Sequence, residues 1–116
     1  MMNSQEVETA SRLGLDLVVQ ILEDNALGMI RWKQAADGYP DFGMSVGNPD
    51  FAAYARAFGG HGETVEETAQ FLPAYERALA SSLPSILHVK VDPEAITPTT
   101  TLAAIRAQAL DKRGSV

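Results

Sequence analysis

The 116-residue chain has no cysteine at all. That excludes a disulfide framework, a thiolate zinc site and a cysteine nucleophile, and it suits a reducing compartment. Basic residues are scarce too: nine Lys and Arg stand against fifteen Asp and Glu, giving a net charge of −6 and a pI near 4.7. A nucleic-acid partner, which needs a clustered basic surface, is therefore not expected. No apolar run approaches membrane-spanning length, and the N-terminal stretch, with Asn3, Gln5, Glu6 and Glu8, lacks the basic flank and apolar centre of a signal peptide. The expectation is a cytoplasmic protein that meets no membrane. With only two histidines there is no spaced histidine and carboxylate set for zinc. Phosphate-cradling Walker loops, internal repeats and low-complexity tracts are missing as well.

What is present is a pattern of alternating elements. Asn3 followed three residues later by Glu6 reads as a capping box, Val7, Ala10 and Leu13 share a helical face, and Gly14 supplies a left-handed stop. Leu15 to Leu22 is nearly continuous apolar sequence, the pattern of a parallel strand covered on both faces. From Leu27 to Gly47 the periodicity fades and Gly38, Pro40 and Gly43 punctuate a loop, with one or two helical turns around Trp32. Asn48-Pro49 reads as a helix start, with Phe51, Tyr54, Ala55 and Phe58 on one face. A strand over His61 to Val65, a helix from Thr68 to Ser81 and a strand from Ser85 to Val91 follow. After a Thr97-Pro98-Thr99 linker, Thr101 to Lys112 is a last amphipathic helix. The fold class is α/β, a truncated three-layer α/β/α sandwich with a mostly parallel sheet of about three strands.

The junction that ends the first strand holds the densest chemistry. Asp24-Asn25-Ala26-Leu27-Gly28-Met29-Ile30 puts short polar side chains and a glycine just beyond a strand's carboxyl end, where open α/β sheets bind ligands. Ordinary turn chemistry accounts for Asp-Asn equally well, since both side chains bond locally to the backbone.

Around this turn the wording of the chain extends much further. Met1 to Ala10, Leu22 to Gln34, Gly47-Asn48-Pro49-Asp50-Phe51 and Ala57-Phe58-Gly59-Gly60-His61-Gly62 together resemble the C-terminal, diphosphate-binding domain of thiamine diphosphate enzymes, acetolactate synthases above all. The resemblance runs from Met1 to about Pro98. It implies a partial thiamine diphosphate-binding domain over residues 1–96, with residues 97–116 as linker and C-terminal helix. In that family a divalent cation and the cofactor's diphosphate are held by a signature that opens with Gly-Asp-Gly and closes with Asn-Asn or Asp-Asn. The closing half is here and the opening half would fall just before Met1, so the expectation is a domain truncated just after Gly-Asp-Gly.

By the same resemblance, Asn25 offers its side-chain oxygen and Leu27 its main-chain carbonyl to Mg2+. Gly28 lets backbone approach the diphosphate, and Met29 and Ile30 face cofactor or substrate, with core packing the other reading of Ile30. No catalytic residue is expected. Trp32 is weighed as a substrate-selecting residue against a packing anchor, and His61 and His88 read as structural. The implied parent is a carboligase or decarboxylase of 2-keto acids that uses thiamine diphosphate and Mg2+. This chain by itself is expected to be inactive and to bind cofactor weakly or not at all. An interaction module pairing with an intact synthase, or a small-ligand binding domain, are the alternatives. Its expected partners are a second copy or the remainder of the enzyme, because a neighbour of the first strand is missing and leaves backbone groups unpaired.

Overall fold

The structure, a computed structural model, describes residues 3–114. In chain order its elements are α1 (Glu6–Leu13), β1 (Val18–Glu23), α2 (Gly28–Ala36), α3 (Phe51–Ala57), β2 (His61–Val65), α4 (Thr68–Ala80), β3 (Ser85–Lys90), β4 (Ala95–Thr97), β5 (Thr100–Thr101) and α5 (Leu102–Gly114). They form two compact units interleaved along the chain, Met1–Glu23 with Asn48–Val91, and Asp24–Gly47 with Asp92–Val116.

The first unit is built on a parallel sheet of order β1-β3-β2. Val18 lies opposite Ser85 and Glu23 opposite Lys90, while His61 meets Ser85 and Val65 meets Val89. All three strands therefore end on one side. One face carries the aliphatic core: Val65, Leu87, Ala74 and Ala78 are buried together, with Val18, Phe71, Tyr75 and Val89 packed around them, so α4 covers this face. The alternate residues turn to α1 and α3, where Val19, Ile21 and Ile86 stand near Val7, Ala10, Phe51 and Tyr54. Here α3 lies against the sheet through small residues: Ala52 and Ala55 are buried, and a Cβ on Gly62 would run into the Ala52 main chain. This is the expected α/β/α layering with three parallel strands.

In the second unit α2 packs on α5, with Ala35, Leu102 and Ala109 buried. The intervening loop is tied down by charge. Asp41 pairs with Arg31 at 3.1 Å and with Arg106, and Arg113 donates to the Gly38 carbonyl at 3.2 Å while its guanidinium lies 5.0 Å from the Tyr39 ring centroid. Burial alone would push the Asp41 carboxyl up, but Arg31 and Arg106 together hold it below the usual carboxylate range.

Several boundaries differ from the sequence reading. The Asn3/Glu6 capping box does not form: Asn3 has φ +63° and the cap position falls on Gln5 with no side-chain bond. Gly14 does end α1 in the left-handed region, at φ +63°. Asn48 does not cap α3. Asp50 does, accepting from the Ala53 N–H at 3.0 Å, because Asn48 is drawn to a long-range partner. The stretch read as loop contains nine residues of helix in α2, and the supposed Thr97-Pro98-Thr99 linker is the tip of the β4–β5 hairpin. Glu63 sits on β2 and takes a forked bond from Arg77, with His61 at 2.8 Å on the same carboxylate.

Candidate functional site

β1 ends in a charged residue. Glu23 is 6% exposed, and both of its oxygens are engaged. Oε1 accepts from Asn48 Nδ2 at 2.8 Å, and Oε2 is shared by Lys90 Nζ and His88 Nε2. The Lys90 bond, aided by Asn48 and His88 and opposed by burial, lowers the carboxyl from 4.5 to about 2. An ionised carboxylate only accepts, so Nε2 of His88 carries the shared proton. His88 is 3% exposed, and its ring meets Phe51 edge-on with centroids 5.1 Å apart. Every polar atom of Glu23 is used inside the protein, which makes this cluster a structural clamp on β1, β3 and the start of the α3 segment. The sequence held a signal for it: a carboxylate closing an apolar strand, with His88 and Lys90 alternating on one face of another.

The next residues of the chain behave differently. Asp24 Oδ1 accepts from the Ala26 N–H at 3.1 Å, a local Asx turn. Asn25 follows with φ +57°, is exposed, and its amide makes no hydrogen bond among the described residues. Ala26 forms a bridge with Ser45, and the Leu27 N–H donates to the Met44 carbonyl at 2.9 Å, so the turn is braced by the far end of its own loop. The Leu27 carbonyl accepts from Ile30 and Arg31 at 3.0 and 2.9 Å. It starts α2 and is not idle. Gly28 opens that helix, and a Cβ there would collide with the Asp24 carboxylate. Met29 and Ile30 are 72% and 52% exposed, so neither is core. Trp32 has its indole Nε1 buried without a partner, and it sits on α2 apart from the residues lining the turn's cavity.

Two features of this turn suit a cation and diphosphate. The first is a cavity of about 390 Å³ lined by Asp24, Asn25, Arg31, Asp41 and Ser45 among others. Into it the turn offers neutral oxygen, the donor type that hard divalent cations take. Second, α2 begins with no side-chain cap and no acidic residue in its first turn. The Asp24 carboxylate stands against Gly28 at this end, where the helix dipole favours negative charge. The set is incomplete for a metal. Among the described residues no group of three or more His, Cys, Asp or Glu is arranged to hold one, and the sequence contains no Gly-Asp-Gly. Asp41 and Ser45 went unnoticed in the sequence because only the loop's return brings them to the turn, whereas Arg31 reaches it from the start of α2.

A parallel sheet whose first strand runs through an Asx turn into a helix without a side-chain cap places the chain among the α/β domains. Comparison with known proteins places the chain more narrowly. Residues 1–89 match the family described as thiamine pyrophosphate enzyme, C-terminal TPP binding domain, and the chain belongs to that family. It is 35% identical over 116 residues to the acetolactate synthase isozyme 2 large subunit of Escherichia coli K12, covering 97% of this chain and 21% of that protein. It is 33% identical over 94 residues to the acetolactate synthase large subunit of Parasynechococcus marenigrum WH8102, covering 78% of this chain and 15% of that one. The catabolic acetolactate synthase of Raoultella terrigena is 31% identical over 90 residues, with shares of 78% and 16%. The chain thus spans about a fifth or less of the length of these relatives. No helix among the described residues is long and apolar enough to cross a membrane.

Proposed function

We propose that this chain contributes the C-terminal part of the thiamine diphosphate site of an acetolactate synthase-like carboligase of 2-keto acids, and that it does not turn over substrate alone. Family membership supports the cofactor class, and the open Asn25 amide beside the uncapped start of α2 supports the role of the turn. Thiamine diphosphate, when bound, supplies the carbanion chemistry by which a 2-keto acid loses carbon dioxide and joins a second carbonyl compound. The residues of this chain bind and orient. Asn25 gives its amide oxygen to Mg2+, and the Leu27 carbonyl adds a second oxygen shared with the first turn of α2. Gly28 keeps side-chain bulk away from the anion, the leading N–H groups of α2 receive it, and exposed Met29 and Ile30 form an apolar wall beside the site.

Two oxygens, neither charged, are a weak claim on Mg2+. We expect millimolar binding of thiamine diphosphate, dependent on Mg2+, followed by the fluorescence of Trp32. Asn25→Gly should abolish the Mg2+ dependence. Incubation with pyruvate, Mg2+ and thiamine diphosphate should give no acetolactate, and clear turnover would overturn the proposal. Saturable micromolar binding would favour a stand-alone binding domain instead.

A further inference from the structure

The helix that follows the β4–β5 hairpin carries one mixed stripe. Leu102, Arg106, Ala109 and Arg113 recur at steps of four, three and four residues, so they share a face of α5. Leu102 and Ala109 are buried where α5 packs on α2, and the two arginines reach the loop that follows α2. Arg113 holds the start of that loop, donating to the Gly38 carbonyl at 3.2 Å with its guanidinium over the Tyr39 ring. Arg106 holds its middle. The two oxygens of Asp41 are divided between the helices, Oδ2 accepting from Arg31 of α2 at 3.1 Å and Oδ1 from Arg106 of α5. The Nε of Arg106 is buried, so this guanidinium is inserted against the protein and does not trail in solvent.

What the loop does next gives this anchor a target. It turns at Gly43, whose φ of +68° lies in the left-handed region, and comes back to the diphosphate turn. There the Met44 carbonyl accepts from the Leu27 N–H at 2.9 Å, and Ser45 bridges Ala26. Met44 stands only three positions beyond Asp41, so little chain separates the anchored carboxylate from the carbonyl that braces the turn. The other ties between α2 and this part of the loop are weaker, since Gln34 and Phe42 exchange two neutral bonds at 3.4 Å. Charge-assisted bonds are about twice as strong as neutral ones. Asp41 lines the cavity beside the turn, whereas Arg106 is not among its lining residues.

We propose that Arg106 is a positioning residue for the diphosphate turn: through Asp41 it fixes the loop whose return at Met44 and Ser45 holds the backbone of Ala26 and Leu27. α5 thereby governs a site it does not touch. What the turn binds rests on the function proposed above; how Arg106 sets its backbone does not.

Two measurements on the 116-residue chain separate these. Amide hydrogen exchange reads the backbone directly: Arg106→Ala should speed exchange of the Leu27 N–H about tenfold and leave that of buried Ala35, in the middle of the same unit, unchanged. Arg106→Lys, which keeps the charge and loses the planar fork, should fall between the two. Asp41→Asn should reproduce the effect, and adding Arg106→Ala to it should do nothing more, because the path is already cut. Mg2+-dependent retention of thiamine diphosphate, by equilibrium dialysis, should fall in Arg106→Ala in step with the exchange. A Leu27 N–H that exchanges as in the native chain overturns the inference. So does an equal acceleration at Ala35, which makes Arg106 a general stabiliser, and so does an undiminished Arg106→Ala effect in the Asp41→Asn chain. A native chain that retains no cofactor overturns the reading of the turn, while the exchange pattern still decides the role of Arg106.

Discussion

Glu23 and Asn25 stand two positions apart, yet their polar atoms are treated in opposite ways. The Glu23 carboxylate is buried and takes Asn48, His88 and Lys90, so both of its oxygens are engaged within the protein. The Asn25 amide is exposed, held at a left-handed φ of +57°, and unbonded among the described residues. Satisfaction, not polarity, separates a structural group from a binding group. A buried ion with every donor paired stabilises the strands that carry it. An exposed amide on a strained turn does nothing for the fold that glycine would not do better.

The largest effect should come from breaking the closed cluster. Glu23→Ala leaves the buried His88 donor without an acceptor and frees Lys90, and should lower unfolding stability by about 2–3 kcal/mol, read from the urea midpoint. An unchanged midpoint would mean that the cluster is idle. Acid should produce the next effect. The folded carboxyl lies near 2 against an ordinary 4.5, so its contribution is complete above pH 4.5 and is lost as pH falls toward about 2. The thermal midpoint of the native chain should drop across that window, and in Glu23→Gln the part of the drop due to this group should vanish. If both chains lose stability equally, other carboxylates govern the acid limb.

The open turn should respond in the reverse sense. Asn25→Gly should change stability by less than about 0.5 kcal/mol, or raise it slightly by relieving φ, while removing Mg2+-dependent retention of thiamine diphosphate in an equilibrium dialysis measurement. Should retention persist, the amide is not the ligand. The smallest effect belongs to Asp24→Asn. Its Oδ1 serves the Ala26 N–H and an amide oxygen serves it as well, so both stability and cofactor retention should stay within error. A large loss of Mg2+ dependence there would make Asp24 a metal ligand after all.

Much of the fold was legible in the chain because it rests on short-range rules. The apolar run ending at Leu22 reads as a strand covered on both faces; it is a strand, β1, shifted by a few residues, but it lies at the end of the sheet order with Val19, Gln20 and Leu22 exposed. Ser85 to Lys90, His61 to Val65 and Thr68 to Ala80 were found for similar reasons of period and punctuation. The errors fall where a side chain had a choice of partner. Asn48 looked like a cap and would have served as one, but a buried carboxylate outbid the helix end, and Asp50 took the cap. Asn3 and Glu6 have the spacing of a capping box, but the turn before α1 is wound so that no side chain caps it. The helix of Gly28 to Ala36 was half hidden because its N-terminus lacks a cap, the same property that suits it to an anion.

By itself the sequence determined the class: alternating elements, a parallel sheet, the Asp24-Asn25 turn after a strand, and the family wording around it. These are local or collinear properties, readable because strand and helix periods and turn chemistry act over a few residues. Only the tertiary structure decided which polar groups are spent and which are free. Glu23, His88, Lys90 and Asn48 lie up to 67 positions apart in the chain. Whether a charge closes a core or opens a site depends on who reaches it, and sequence spacing carries no record of that distance.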